Sequence, residues 1–190
     1  MKKTAVLIYD SFCNFEIAPA LEILAMGGKP VTVFAKSLAP VRSEEGLMVM
    51  PECAIDALEL DEYDSLLLPG AMDIREAIED EAILAFVRHF QGMTIGAISV
   101  APLLLLRAGL LAGKRFMAGI NPEELAEEGF SGDDLALMHG CDENLAQPVP
   151  EGYIRSDNII TSVSYGFVRW ALASGAMVGI ELSPRVFGLE

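Results

Sequence analysis

The sequence contains little histidine and little cysteine, and this narrows the chemistry open to it. His89 and His139 are the two histidines among 190 residues, which is too few to supply the ligands of an ordinary zinc site. The three cysteines, Cys13, Cys53 and Cys141, form no Cys-x-x-Cys pair and are odd in number. We therefore expect free thiols in a reducing cytoplasm, with no metal and no cofactor.

Basic residues are also scarce. Lysine and arginine number 13 against 28 aspartates and glutamates, which gives a formal net charge of −15. Nucleic-acid binding needs a basic face, and anionic membranes repel an acidic protein. We expect neither nucleic acid nor a membrane as a partner, and we interpret the charge as serving solubility.

Long hydrophobic segments are missing as well. The longest apolar run, residues 95–106, is shorter than the ~20 residues that a membrane-spanning helix needs. The apolar run after the first lysines, residues 4–9, ends at Asp10 and is too short for a signal peptide. The sequence shows no internal repeat and no linker, so we expect one domain over residues 1–190.

Apolar segments of strand length alternate with segments of helical periodicity. Residues 4–9 and 30–35 are predicted strands that flank a predicted helix over residues 15–26. Such a βαβ unit implies a right-handed crossover and a parallel sheet. Further buried strands are predicted over residues 65–68 and 94–98. Further helices are predicted over residues 79–91, 100–106 and 165–182.

The other segments carry weaker patterns. We expect Gly175 and Gly179 to let the last helix lie close on the sheet. The remaining predictions are a hairpin or edge ribbon over residues 41–50, a short helix over 54–60, a short strand over 114–117, a short helix begun by Asn121 and Pro122, a loop-rich stretch over 129–142, and two strands joined by a tight turn within 153–161.

The predicted strand 94–98 stops at Ser99, and a helical pattern begins at Val100. The chain must therefore turn sharply from strand to helix at Ser99. Such a turn lifts one side chain off the carboxyl end of a parallel sheet, over the N-terminus of a helix. Free N–H groups there favour a developing negative charge, so this is a suitable place for a nucleophile.

Two other loops should reach the same edge of the sheet, one containing Glu16 and the other containing Gly70 and Ala71. Glu16 is either an acid placed favourably at a helix N-terminus or a carboxylate aimed at Ser99. Gly70 is either a simple turn glycine or, with Val100, a donor of backbone N–H groups to an oxyanion. Both alternatives stay open at this point.

Five segments, in order and spacing, resemble the ThiJ/PfpI superfamily, relatives of class I glutamine amidotransferases. They are VLIYDSFCNFE (residues 6–16), LLLPG (66–70), GAISVAP (96–102), AGLLAGK (108–114) and DNIITS (157–162). This superfamily includes cysteine hydrolases, glyoxalase- or deglycase-like enzymes, isocyanide hydratases and redox-responsive chaperone-like proteins. The resemblance implies a homodimer and a three-layer α/β sandwich with a mainly parallel, flavodoxin-like central sheet and helices on both faces.

The resemblance also implies roles for single positions. Glu16 falls where the family keeps the acid that hydrogen-bonds its nucleophile, and Gly70 and Val100 fall on the oxyanion-hole positions. Ala71, beside Gly70, is a further candidate ligand-binding residue. Ser99 falls on the nucleophile, where most members carry cysteine. A helix N-terminus that ionises a thiol does not ionise a serine hydroxyl, so Ser99 needs a neighbouring base.

No histidine matches the places where members of the family keep one. Those places correspond here to Val100 and to about Gly119. We expect His89 on the surface. For His139, in the loop-rich stretch, the less favoured of two interpretations is that it reaches the site, from either subunit of a dimer. Cys13 is either an idle loop cysteine or a displaced thiol near the pocket.

Two functions follow from these residues. In the first, the fold has lost cysteine chemistry and binds a small carbonyl or carboxylate ligand, or acts as a structural or regulatory homodimer. In the second, the chain is a hydrolase or a glyoxalase- or deglycase-like lyase that uses Ser99, Glu16 as the base, and the Gly70 and Val100 amides. The missing histidine favours the first.

Overall fold

The computed structural model describes residues 1–126 and 129–190, which form a mainly parallel sheet with helices on both faces. The strands are β1 (Lys3–Leu7), β2 (Val31–Ala35), β3 (Val41–Arg42), β4 (Met48–Val49), β5 (Cys53–Ala54), β6 (Tyr63–Leu68), β7 (Thr94–Ile98), β8 (Phe116–Met117), β9 (Met138–His139), β10 (Ile154–Ser156) and β11 (Ile159–Ser162). The α-helices are α1 (Asn14–Met26), α2 (Arg75–Glu79), α3 (Glu81–His89), α4 (Pro102–Arg107), α5 (Pro122–Ala126), α6 (Gly132–Leu135), α7 (Cys141–Ala146) and α8 (Phe167–Met177).

Seven strands make the central sheet, in the order β10-β11-β7-β6-β1-β2-β5. All neighbours are parallel except β10 and β11, which form an antiparallel pair across the predicted tight turn. The inner strands are apolar on both faces, as a sheet covered by helices requires, and Leu66 and Ile95 are fully buried. The fold class predicted from the sequence is confirmed. Because the central strands are parallel, the loops after β1, β6, β7 and β11 meet at one edge.

Two groups of helices cover this sheet. Helix α8 packs on α1 and on strands β7 and β11, while α2, α3 and α4 pack on one another. The second group closes over an aromatic cluster whose ring centroids lie 5.1–6.4 Å apart. Its members are Phe34, Tyr63, Phe86 and Phe90. No helix in the described ranges is long and apolar enough to cross a membrane.

Close approach of α8 to its neighbours depends on two glycines. A methyl group at Gly96 of β7 would lie 2.9 Å from Cζ2 of Trp170, so this glycine admits the indole onto the sheet. A methyl group at Gly175 of α8 would lie 2.5 Å from Cγ2 of Ile23 in α1. The prediction that Gly175 brings α8 onto the sheet is therefore wrong, because Gly175 faces the neighbouring helix.

Several predicted boundaries also need correction. The helix predicted over residues 79–91 is the shorter α3, because Asp80 leaves helical geometry and its side chain accepts the Ala82 N–H at 3.0 Å, while Glu79 ends α2, which was not predicted. The predicted helix over residues 54–60 is replaced by β5, which pairs with β2, and by 3-10 turns. The stretch 129–142 is more ordered than predicted, since it contains α6, β9 and the start of α7.

Candidate active site

Ser99 lies in a strained turn directly after β7. Its φ of 60° lies in the left-handed region, which costs a residue with a Cβ roughly 1–2 kcal/mol. Hydrogen bonds hold it on both sides: its N–H donates to the Ser162 carbonyl at 2.8 Å, and its carbonyl accepts the Gly119 N–H at 2.7 Å. Strain of this kind persists only where the surroundings fix the backbone. The sharp turn predicted at Ser99 is present.

The helix after this turn begins later than predicted. Helix α4 starts at Pro102, so Val100 and Ala101 belong to the turn and not to the helix. Proline suits the first helical position because its missing N–H has no partner there anyway. Within the described residues, no acceptor takes the Val100 N–H. That amide is therefore available to a ligand beside Ser99.

Glu16 lies in the first turn of α1 and is 1% exposed. Its Oε2 accepts the Gly70 N–H at 2.8 Å, and it lies beside Ser99, since a methyl group at Gly70 would lie 2.5 Å from Glu16 Oε2 and 2.9 Å from Ser99 Oγ. Burial raises the pKa of Glu16 above its ordinary value, and hydrogen bonding with Ser164, the Gly70 N–H and Ser99 opposes that rise. The structure thus brings Glu16 and Ser99 together, as the second interpretation of Glu16 requires.

A loop from the β3–β4 hairpin fixes the helix that carries Glu16. Cys13 precedes α1 and its side chain makes no capping hydrogen bond. The Glu45 carboxylate instead accepts the N–H groups of Phe15 at 3.0 Å and Asn14 at 3.3 Å. A carboxylate at this position satisfies free helix N–H groups and complements the helix dipole. The hairpin predicted over residues 41–50 therefore supports the site.

Gly70 follows β6 and lies in direct contact with both side chains. A methyl group at this position would lie 2.5 Å from Glu16 Oε2, 2.6 Å from Ser99 Cβ and 2.9 Å from Ser99 Oγ. Its N–H, predicted to face an oxyanion, is already donated to Glu16. Ala71 is buried and pairs through its backbone with Phe12 of the β1–α1 loop. This leaves the Val100 amide as the free donor of the predicted pair.

Neither histidine belongs to the hydrogen-bonded group around Ser99. His89 is exposed on α3, as predicted. His139 is buried, with Nε2 3.2 Å from Asn144 Oδ1 and Nδ1 3.2 Å from Glu143 Oε2. At Gly119, where the resemblance expects a histidine, a methyl group would lie 3.1 Å from Ser99 Oγ. The position is therefore next to the nucleophile position, but it carries no base.

Cys13 is 5% exposed, and its thiol donates to Glu44 Oε2 at 2.9 Å. Burial, this acceptor and the nearby Glu16 raise the pKa of the Cys13 thiol far above its usual range. The thiol is therefore neutral, whereas a nucleophilic cysteine needs a thiolate. Cys53 and Cys141 are half-buried free thiols elsewhere in the fold. Nowhere in the ranges 1–126 and 129–190 do three or more His, Cys, Asp or Glu residues converge to hold a metal ion.

Two neighbours of the site were missed from the sequence. Ser164 lies in the 3-10 turn after β11, two residues beyond the end of the strand. The loop that contains it reaches the same edge of the sheet. Tyr9 is buried after β1, and its hydroxyl donates to the Pro69 carbonyl beside Gly70. Both residues follow carboxyl ends of parallel strands, which is the signal that could have found them.

A family model described as the DJ-1/PfpI family matches residues 2–172. The chain belongs to the DJ-1/PfpI family. Protein/nucleic acid deglycase 2 of Escherichia coli is 32% identical over 121 residues, which are 62% of this chain and 70% of that protein. A deglycase of Thermococcus kodakarensis is 28% identical over 116 residues, 60% of this chain and 69% of that protein.

Solved structures of the DJ-1 superfamily share the fold. A member from Agrobacterium tumefaciens has a TM-score of 0.79 at 18% identity and covers 98% of this chain and 94% of its own. Oxidized DJ-1 of Toxoplasma gondii has a TM-score of 0.75 at 22% identity, and the match covers 98% of this chain and 95% of that chain.

A glutathione-independent glyoxalase of Caenorhabditis elegans is a further sequence relative. It is 25% identical over 119 residues, which are 62% of this chain and 64% of that protein.

Proposed function

We propose that the turn of residues 99–101, which we call the Ser99 elbow, binds a small carbonyl or carboxylate ligand in this DJ-1/PfpI protein. The binding would involve no cysteine-type covalent catalysis. The observation that carries the proposal is the left-handed Ser99, whose Oγ lies beside the buried Glu16 carboxyl, since a methyl group at Gly70 would lie 2.9 Å from the first and 2.5 Å from the second. A serine released from any role at this position would be expected to relax, since the strain is unfavourable. The elbow therefore keeps a geometry that a ligand can use.

The polar groups of the elbow favour a carbonyl over a carboxylate. The Val100 N–H, which no acceptor among the described residues takes, is the donor that a carbonyl oxygen would meet. An anionic ligand would lie near the carboxyl of Glu16, and like charges repel at such distances. Relatives named deglycases and a glyoxalase also support a small carbonyl compound as the ligand class.

A second candidate is a hydrolase or lyase in which Ser99 is the nucleophile. The contact between the Ser99 hydroxyl and Glu16, whose pKa burial raises toward that of a working base, favours it. Ser99 Oγ would bond to the carbonyl carbon, its proton would pass to Glu16, and the Val100 N–H would hold the oxyanion. Once Glu16 is protonated, its attraction for the Gly70 N–H weakens, and that amide becomes the second oxyanion donor.

Turnover and binding separate the two candidates. We would follow methylglyoxal, a 2-oxoaldehyde, and an activated ester with wild type and with Ser99→Ala, Ser99→Cys and Glu16→Gln. The first proposal expects saturable methylglyoxal binding, with turnover equal in wild type and Ser99→Ala. Turnover that disappears in Ser99→Ala supports the second candidate. Absence of both binding and turnover with these probes overturns both.

We further propose a cytoplasmic homodimer. The β3–β4 hairpin exposes three apolar side chains, Leu47, Met48 and Met50, at 49%, 50% and 63%. Apolar groups gathered on one surface element are typical of a contact surface. Light scattering on the purified protein tests the dimer: a monomer mass at micromolar concentration would contradict it. The three unpaired thiols suit a reducing compartment.

A further inference from the structure

Tyr9 lies two residues beyond the end of β1, and its side chain is enclosed by the fold. It is 7% exposed, and its hydroxyl donates to the Pro69 carbonyl. The backbone on both sides of Tyr9 is fixed. The Ile8 N–H donates to the Phe34 carbonyl at 2.8 Å, which extends the pairing of β1 with β2. The Tyr9 carbonyl accepts the Phe12 N–H at 3.1 Å in a tight turn, so the ring is held where its hydroxyl meets Pro69.

The Pro69 carbonyl and the Gly70 N–H belong to one peptide group. In a trans peptide these two groups point in opposite directions, and no peptide bond among the described residues is cis. Both ends of this peptide group are hydrogen-bonded: Tyr9 donates to its oxygen, and Glu16 Oε2 accepts its N–H at 2.8 Å. The peptide group therefore connects a buried phenol hydroxyl on one side to a buried carboxyl on the other.

The hydrogen bonds that follow Gly70 do not fix the plane of this peptide group. The Gly70 carbonyl accepts the Cys13 N–H at 2.8 Å, and the Met72 N–H donates to the Ser11 carbonyl at 3.0 Å. These bonds constrain the chain from the Gly70 carbonyl onward. The preceding peptide can still turn over, because glycine has no Cβ to oppose the change in φ. Such a flip would turn the Gly70 N–H away from Glu16.

We infer that Tyr9 is a positioning residue of the Ser99 elbow, whose hydroxyl holds the Pro69–Gly70 peptide group in the orientation that presents the Gly70 N–H to Glu16. The inference rests on the proposed function only in taking the elbow as the working site. Tyr9 donates to a backbone oxygen, so it acts on the site through this peptide group.

The same hydrogen bond strengthens the Gly70 N–H as a donor. Hydrogen bonds in a chain polarise one another, and the effect is larger where water is excluded. Gly70 and Glu16 are both buried, so this condition is met. A carbonyl that accepts from Tyr9 makes the N–H of its peptide a better donor, to Glu16 or to an oxyanion. Burial raises the pKa of Tyr9 well above its ordinary value, so the hydroxyl keeps the proton that it donates.

The test compares NMR signals of the full chain in wild type and in Tyr9→Phe, which removes only the hydroxyl. The Pro69 carbonyl carbon and the Gly70 amide proton should both move upfield, since the first loses a hydrogen bond and the second donates more weakly. Hydrogen exchange of the Gly70 amide should become about fivefold faster. The Gly119 amide, which donates to the Ser99 carbonyl at 2.7 Å, is the internal reference and should exchange as in wild type.

Tyr63→Phe is the matched control variant. It removes the hydroxyl of a buried tyrosine at the first residue of β6, the end of that strand opposite to Pro69. The Pro69 and Gly70 signals should stay at their wild-type positions. A tyrosine with a merely structural role would, when replaced, accelerate exchange at Gly70 and Gly119 alike.

The inference is overturned if the Gly70 signal and exchange rate are the same in Tyr9→Phe and Tyr63→Phe, or if exchange accelerates equally at Gly70 and Gly119. If Tyr9→Phe does not fold, the wild-type sequence labelled with fluorotyrosine decides. The fluorinated phenol is a stronger donor, so the Gly70 amide proton should move downfield, and an unmoved or upfield signal would contradict the inference. These measurements use neither ligand nor turnover, so their failure is distinguishable from a failure of the proposed function.

Discussion

Gly70 donates its backbone N–H to the buried Glu16 carboxyl at 2.8 Å, and a methyl group at Gly70 would overlap that carboxyl. The amide predicted for an oxyanion is therefore donated to an internal acid. This contact joins the loop after β6 to helix α1, so an internal hydrogen bond holds the two elements of the site together.

Gly70→Ala should destabilise the protein by about 1–3 kcal/mol, because the added methyl group overpacks the contact with Glu16 and Ser99. Urea unfolding measures the change. Gly132→Ala is the matched control, since nothing lies within 4 Å of a methyl group there, and it should stay within about 0.5 kcal/mol of wild type. Equal effects at the two glycines would contradict the close approach.

Ser99→Gly should be more stable than Ser99→Ala by about 1 kcal/mol, because glycine adopts a φ of 60° without the strain of a Cβ. Chemical denaturation of both variants checks this order. At Ser156, in strand β10, the order should reverse, since glycine in a strand is less favourable than alanine. Alanine more stable than glycine at both positions would show that the elbow is not strained.

The raised pKa of Glu16 makes stability depend on pH. The folded state holds this proton more tightly than the unfolded chain, where the pKa is near 4.5. Stability from the neutral form is therefore fully present below pH 4.5 and is lost as the pH rises through the folded pKa. The unfolding free energy of wild type minus that of Glu16→Gln should fall as the pH rises above 4.5. A rise over that range would reverse the assigned direction.

Glu45→Ala should cost about 1 kcal/mol, because it uncaps the first turn of α1. Burial opposes the change, but hydrogen bonds from Ser43 and from backbone N–H groups lower the pKa of Glu45 in the fold, so the stabilisation should fade as the pH falls below 4.5. Thermal unfolding at several pH values measures both effects. Glu22→Ala, on the exposed side of α1, is the control and should show neither.

Cys13 should resist alkylation in the native protein. Its thiol is buried and neutral, and iodoacetamide reacts with thiolates. Mass spectrometry at pH 8 should find Cys53, which is half-buried, modified at least about ten times faster than Cys13, with equal rates after denaturation. Faster modification of Cys13 would restore it as a displaced nucleophile.

Much of the fold could be predicted from the sequence because its central elements are local in origin. Strand β7 has the predicted bounds, Thr94–Ile98, since its apolar run is confined between Gly92 and Ser99. That the loops of Glu16 and Ser99 reach the same edge followed from the rule that parallel strands end together, while the contact of the two side chains was one of two alternatives. Strand β5 was missed because two residues carry no periodicity, and its pairing with β2 comes from tertiary contact.

The individual contacts within the site and between the helices could not be predicted from such patterns. The Gly70 N–H has one partner among several possible ones, and only the position of α1 decides that this partner is Glu16. Ser164 opens a helix-like segment, where a serine is typical of a cap, and the approach of its loop to the site depends on how β11 aligns with β7. Gly175 faces α1 rather than the sheet because of the rotation of α8, which glycine spacing does not specify.

The most direct test of a ligand-binding elbow is a nitrogen NMR titration of the wild-type protein with methylglyoxal, completed before slow side-chain modification. We predict saturable shifts at the Val100 and Gly119 amides, weakened in Ser99→Ala, while methylglyoxal is consumed no faster than with that variant. Amides that do not respond, or shifts confined to other surfaces, would contradict a ligand site at Ser99. Consumption that depends on Ser99 would instead make the protein an enzyme.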